Sequence, residues 1–268
     1  MTAHPPTITV HDLPTIGLAE VAAHADLQRR FDRKHLVDAY ELDGLLAALA
    51  HRMHILEVEG ARATAYTTTY FDTPQLRTFR DHRQGRRRRF KIRTRHYGDP
   101  AGTMLELKRK GLRGQTVKHR WPHPSPAPDH LDAGARDLLA DTLRATYDMA
   151  LPVDLEPVAV TRFRRTTLVD PVAGERVTID ADLVVEVAGR YHSLGRHHLI
   201  VETKSATRGG GAAATLAALG VRPVPVSKYG LGISVAHPEL GSGAWRPALR
   251  RLAPPPATPA APVAPHAT

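Results

Sequence analysis

The sequence contains no cysteine. Neither a disulfide nor a thiolate-bound metal can therefore hold this chain together, and any metal it takes must be bound through oxygen or imidazole. Aromatic residues are scarce, at 5%. No uncharged apolar run approaches the ~20 residues that a membrane-spanning helix needs. The N-terminal MTAHPPTITVHDLP lacks the basic segment and apolar stretch of a secretion signal. A cytoplasmic protein without a transmembrane segment is the expectation. Acidic residues are the minority sign, with 27 Asp and Glu against 37 Lys and Arg and a formal charge of +10. Such an excess draws polyanions through long-range attraction, without choosing among nucleic acid, anionic membrane and polyphosphate.

What is present reads as one catalytic-sized domain with loose ends. The chain of 268 residues is 42% hydrophobic, enough for a sizeable core. Residues 1–26 are polar and proline-rich and are expected to be a partly disordered extension. Residues 27–240 form the domain, and 241–268 are expected to be a disordered Pro/Ala-rich tail, almost pure Ala and Pro from Ala253 to Thr268. The stretch Leu36 to Arg52 carries Leu42, Leu45, Leu46 and Leu49 at helical spacing, and Asp38 or Asp43 is the expected start of that helix. A second helix is predicted around Leu131 to Tyr147, with Leu138, Leu139 and Leu143 on one face. Strands are predicted at 29–36, 63–72, 87–97, 103–109, 115–121, 157–169, 175–182 and 198–204. The predicted fold is α+β but mainly antiparallel β, an eight-stranded closed barrel with flanking helices.

Several of these strands carry charges in phase. Lys91, Arg93 and Arg95 fall at i, i+2 and i+4, hence on one face, while Ile92 and Thr94 point the other way. Glu106, Lys108 and Lys110 repeat the spacing with Leu105 and Leu107 opposite. Arg30, Asp32 and Lys34 do the same, as do Arg176, Thr178, Asp180 and Asp182, and the pair Glu202 and Lys204. A solvated outer face explains any single strand. Converging faces are different, because two like charges about 6 Å apart repel by about 3 kcal/mol at an effective dielectric near 20. Arg and Lys gathered that way require a counter-anion, and their mixture of forked and point-charge donors suits phosphate. The few carboxylates on the same faces could hold a hard cation that shares phosphate oxygens. Glu202 is the first candidate, followed by Glu106, Asp180 and Asp182, with charge balance as the alternative role of each.

The segments RFDRKHL, TTYFDT, FKIRTRHY, MLELK, VKHRW, FRRTTL, ERVTID, LIVETK and VSKYGLG, in that order, resemble the VTC domain. That family is a branch of the triphosphate tunnel metalloenzymes, which include the CYTH proteins, and the resemblance spans about residues 29 to 236. It implies a tunnel of eight antiparallel strands whose basic residues grip the triphosphate of ATP or a growing inorganic polyphosphate, assisted by Mn²⁺ or Mg²⁺. By position the phosphate-gripping residues are Lys34, Arg93, Arg95, Lys108, Lys118, Arg165, Arg176, Lys204 and Lys228, and Glu202 is the metal-binding carboxylate. The implied reaction moves the γ-phosphoryl of ATP onto a polyphosphate chain and leaves ADP.

The sequence departs from the family pattern at Asp32 (usually Glu), His35 (usually aromatic) and Phe163 (usually Tyr), and Pro225 and Val226 stand where a second Lys is often found. The departures at Asp32, His35 and Phe163 keep a non-catalytic polyphosphate-binding module open, and a tripolyphosphatase or nucleoside triphosphatase on the same scaffold is the alternative enzyme. Nucleic acid is not an expected partner, because aromatics are few and the cations are not interleaved with stacking platforms in the sequence. The run Arg86 to Arg89 reads first as a solvated strand entrance and second as a funnel for polyanions. His119, His123 and His130 lack a zinc pattern and are expected at the surface. Gly209 to Gly211 lacks the Gly-Lys-Ser/Thr of a P-loop and reads as a flexible turn before an Ala-rich helix.

Overall fold

The computed structural model describes residues 10–24, 31–98, 102–111, 115–123, 127–195, 197–207 and 209–252. Arg30 and the segment Ala253 to Thr268 lie outside the described residues. Eleven strands form one sheet: β1 (Thr15–Ile16), β2 (Phe31–Asp38), β3 (His54–Leu56), β4 (Thr64–Asp72), β5 (Phe90–His96), β6 (Thr103–Lys110), β7 (Thr116–Pro122), β8 (Glu156–Asp170), β9 (Glu175–Val187), β10 (Arg190–Leu194) and β11 (His198–Ser205). The helices are α1 (Leu18–His24), α2 (Glu41–Leu49), α3 (Arg77–Arg83), α4 (Ala133–Tyr147), α5 (Gly211–Ala218), α6 (Lys228–Ala236) and α7 (Arg246–Leu252).

The main path of the sheet runs β2-β11-β9-β8-β4-β5-β6-β7, antiparallel throughout, and its members are the eight strands that the alternation predicts. Among the described residues only the short β1–β3 pair is parallel. The path is not closed by hydrogen bonds: among the described residues β7 does not pair with β2. The reason lies on the β2 edge. There Val224 N–H donates to the Lys34 carbonyl at 2.7 Å and Pro223 bridges His35, so a loop already occupies part of the edge that β7 would need. The sheet nonetheless curls on itself, bringing Lys108 on β6 within electrostatic reach of Glu202 on β11, and Lys91 on β5 within reach of Lys34 on β2.

The strand period decides what faces in and what faces out. Helix α4 is capped by Asp132, whose side chain accepts from Ala135 N–H at 2.7 Å, and it presents Leu139 and Leu143 to Ile92, Leu105 and Leu107. Leu138, expected on that face, is 41% exposed. Helices α2 and α5 cover Val37, Leu168, Val177 and Val201 in the same way. The helices thus bury the apolar outer face, and the charged set is left facing the interior. Helix α2 starts at Glu41, between the two expected residues: Asp38 ends β2, Asp43 lies in the first turn, and Tyr40 stands at the cap position without a capping side-chain bond.

One end of the interior is filled rather than charged. At Asp182 the backbone takes φ +56° and the β8–β9 register shifts, so the inward set changes from Arg176, Thr178 and Asp180 to Leu183, Val185 and Val187. That apolar set seats α6 through Leu231 and Ile233. Gly232 fits because a Cβ there would lie 2.3 Å from the Val185 side chain, and at Gly230 it would meet the Trp245 ring at 2.6 Å. Trp245, Ala248 and Leu252 complete this cluster. The stretch 241–252, expected within the disordered tail, is therefore ordered and anchored to the core by Trp245, Ala248 and Leu252.

Further expectations are corrected here. Gly210 and Gly211 are a packing seam, since a Cβ at either would collide with Glu175 and Ser205 or with Arg52, while Ala212 N–H bonds Glu175 at 3.0 Å. His130 is exposed as expected, but His123 is buried and His119 stacks on Trp121. No helix among the described residues is long and apolar enough to cross a membrane.

Candidate functional site: a basic interior

The inward faces bring most of the predicted cations together around three carboxylates. Arg93 (β5) donates through Nε and Nη2 to Glu106 Oε2 on β6, at 2.7 and 2.5 Å, and Lys118 on β7 lies 3.6 Å from the other oxygen. Arg165 (β8) makes a two-pronged contact with Asp180 (β9) at 2.6 and 2.7 Å, and Lys228, the first residue of α6, also bonds Asp180. Glu202 (β11) sits between Lys34 at 3.5 Å and Lys204 at 3.3 Å. Arg95 is bonded to Thr68 at 3.3 Å and reaches no carboxylate within ion-pair distance among the described residues. Arg176 lies level with Lys204, half-buried.

The electrostatics follow from this crowding. Burial works against ionisation of Glu106, Asp180 and Glu202, yet surrounding cations outweigh it and hold all three well below the usual carboxylate range. The lysines are lowered as well, which for them disfavours the charged form. Arg93 foremost, with burial, holds Lys108 well below its ordinary value. Burial brings Lys228 down to about 8 despite Asp180 beside it. Positive charge exceeds what the three carboxylates can neutralise, so the interior is preset for an anion.

The carboxylates differ in what they can still bind. Asp180 has both oxygens engaged by short bonds to Arg165 and Lys228, and Glu106 has one oxygen held by Arg93, whereas Glu202 makes only longer ion pairs at 3.3 and 3.5 Å among the described residues and keeps coordination capacity on both oxygens. Among the described residues no three His, Asp or Glu side chains form a metal cluster. Glu202 thus fits the mode in which a hard cation takes one protein carboxylate and completes its shell with phosphate oxygens and water. Asp182, at the bulge, is exposed and outside this group.

Aromatic rings support the guanidinium groups, contrary to the expectation that the cations lack such platforms. Arg93 lies over Tyr70 at 5.9 Å, Arg95 over Tyr66 at 5.4 Å, Arg120 over Tyr97 at 5.0 Å, and Arg165 over both Tyr66 and Phe163 at 5.0 and 5.3 Å. Tyr66 also stacks on Phe163. The in-phase pair Tyr66 and Tyr70 in TAYTTTYFD was the available signal. These rings serve the arginines and each other. Of the departures from the family pattern, Phe163 faces the site, Asp32 is exposed level with Lys204, and His35 is buried on the outer face against the Val221 carbonyl.

A curled antiparallel sheet with cations inside and helices outside defines the class, a basic tunnel-like fold built to hold a phosphate-rich anion. The family model described as the VTC domain matches residues 29–237, and the chain belongs to that family. Among curated proteins no sequence match is found. Solved structures are similar to this chain at low identity. A Hippeastrum protein, named as a candidate adenylyl cyclase with a dominant triphosphatase activity, is 15% identical with a TM-score of 0.50 over 77% of this chain and 96% of its own. A Bacillus halodurans protein named as a candidate adenylate cyclase is 17% identical with a TM-score of 0.45, over 73% of this chain and 92% of its own.

Proposed function

We propose that this VTC domain is an ATP-dependent polyphosphate polymerase, transferring the γ-phosphoryl of ATP to a growing inorganic polyphosphate chain in its basic interior. The observation that carries the reading is the excess of inward cations over Glu106, Asp180 and Glu202, within a family match covering most of the chain. Arg93, Arg95, Lys108, Arg165 and Arg176 grip the triphosphate, and Lys34, Lys118, Lys204 and Lys228 complete the lining along the chain. The terminal oxygen of the acceptor chain attacks the γ-phosphorus, the bond from that phosphorus to the β–γ bridging oxygen breaks, and ADP leaves with that oxygen. Such a transfer asks for alignment and charge stabilisation, which fixed guanidinium groups on rigid strands supply without reorganisation. Glu202 would hold Mn²⁺ or Mg²⁺, whose contribution when bound is to neutralise charge on the phosphate oxygens.

One observation favours a second reading. The Hippeastrum protein of this fold carries a dominant triphosphatase activity in its name, and on this chain a tripolyphosphatase would use the same grip with water as acceptor. Incubation with ATP and Mn²⁺, read out as product length, separates the two. Polymerisation gives ADP with lengthening acid-labile chains. Orthophosphate without chains supports hydrolysis, and unchanged ATP leaves only a binding role.

A further inference from the structure

Lys91 differs from the other inward cations of the strands. It stands in phase with Arg93 on β5 but on the side where α6 fills the interior, level with Lys108 and close to the start of that helix. Its Nζ donates to the Ser227 hydroxyl at 3.1 Å, the same hydroxyl that caps α6 by accepting from Gly230 N–H. The charges it feels are all positive, from Lys34, Arg93 and Arg89, and no carboxylate pairs with it among the described residues. Arg89 and Lys110, joined across β5 and β6 by Lys110 N–H to the Arg89 carbonyl, continue the cationic track outward, and among the described residues the Arg89 side chain bonds only backbone carbonyls. Beyond them Arg87 and Arg88 are exposed. Half-buried His82 on α3 is held far below its usual pKa, by burial first and then by Lys91, Arg89 and Lys110.

We propose that Lys91, Arg89 and Lys110 form a second phosphate subsite on the α6 side of the interior, holding a phosphate of a chain longer than three. This rests on the phosphate-chain reading of the main site and adds to it a route from the Arg93–Glu106 level past the α6 cap to the surface. A chain of phosphates is the fitting ligand, because it reaches from Arg93 to Arg87 with a charge on every unit. A single phosphate or a nucleotide base does not.

The test compares sodium tripolyphosphate with long-chain polyphosphate by calorimetric titration of the full chain. In the R89A/K110A variant, whose changed side chains lie toward the surface, long-chain affinity is expected to fall about tenfold or more, with tripolyphosphate affinity kept within about twofold. K91M should give the same selective loss. Equal losses for both ligands in R89A/K110A, or no loss for either, overturn the subsite while leaving the main site standing. A wild-type protein that binds neither ligand overturns both.

Discussion

The Tyr229 hydroxyl donates a 2.6 Å hydrogen bond to the carboxylate of Asp72, joining two segments 157 residues apart. Asp72 is fully buried and also accepts from Thr73 N–H, Thr78 N–H and hydroxyl, and Phe79 N–H, so it anchors both α3 and α6. Tyr229 in turn stacks on Tyr70, over which Arg93 lies. Helix α6 is thereby fixed, and with it Lys228 against Asp180.

Tyr229→Phe keeps the stacked ring and removes only the hydroxyl. The expected cost is about 1–2 kcal/mol in chemical denaturation, because a buried charged acceptor loses one of its partners. Asp72→Ala should cost more, since the α3 and α6 anchors go together. A Tyr229→Phe variant as stable as the wild type would mean that α6 is held by apolar packing alone.

Stability of the ligand-free protein should rise with pH between about 7 and 9. Burial brings Lys91 to about 7 and Lys228 to about 8 in the folded chain, whereas both sit near 10.4 when unfolded. In that window the unfolded state binds more protons than the folded one, so raising the pH favours folding. Thermal melting at pH 7 and pH 9 checks the sign, and Lys228→Met should flatten the dependence. A melting temperature that falls across this range would contradict the placement of these lysines.

Glu202→Gln should remove metal-dependent turnover while leaving the circular dichroism spectrum unchanged. The substitution preserves shape but takes away the carboxylate whose ion pairs, at 3.3 and 3.5 Å, are longer than the Arg93–Glu106 and Arg165–Asp180 bonds. Full activity in Glu202→Gln with Mn²⁺ would show that the metal is held elsewhere.

How far the sequence disclosed this arrangement depends on the period of the signal. A two-residue alternation such as Lys91, Arg93, Arg95 against Ile92 and Thr94 is written directly in the chain, and the main strands and inward cations were legible from it. Asp182 was misread because a single bulge changes the phase, and alternation carries no mark of it. Helix α6 was missed because SKYGLG places two glycines in a helix, which propensity disfavours and which only the closeness of Trp245 and Val185 explains. Tyr66 and Tyr70 were in phase with Thr68 but looked like ordinary strand residues. Their part as rests for Arg95 and Arg93 appears only once β4 pairs with β5.

The central claim is that the interior grips phosphates, and Arg95 offers the cleanest access to it. Arg93→Ala would strand Glu106, a buried carboxylate, and should destabilise the fold by about 3–5 kcal/mol, confounding any binding result. Among the described residues Arg95 is bonded only to Thr68 and rests on Tyr66, so its side chain can be removed without leaving a described charge unpaired. The decisive measurement is the affinity of tripolyphosphate for wild type and Arg95→Ala by titration calorimetry at two salt concentrations. The account predicts saturable binding that weakens with salt and falls about 10- to 100-fold in Arg95→Ala at unchanged melting temperature. Absence of saturable binding in the wild type, or equal affinity in the two proteins, would contradict it.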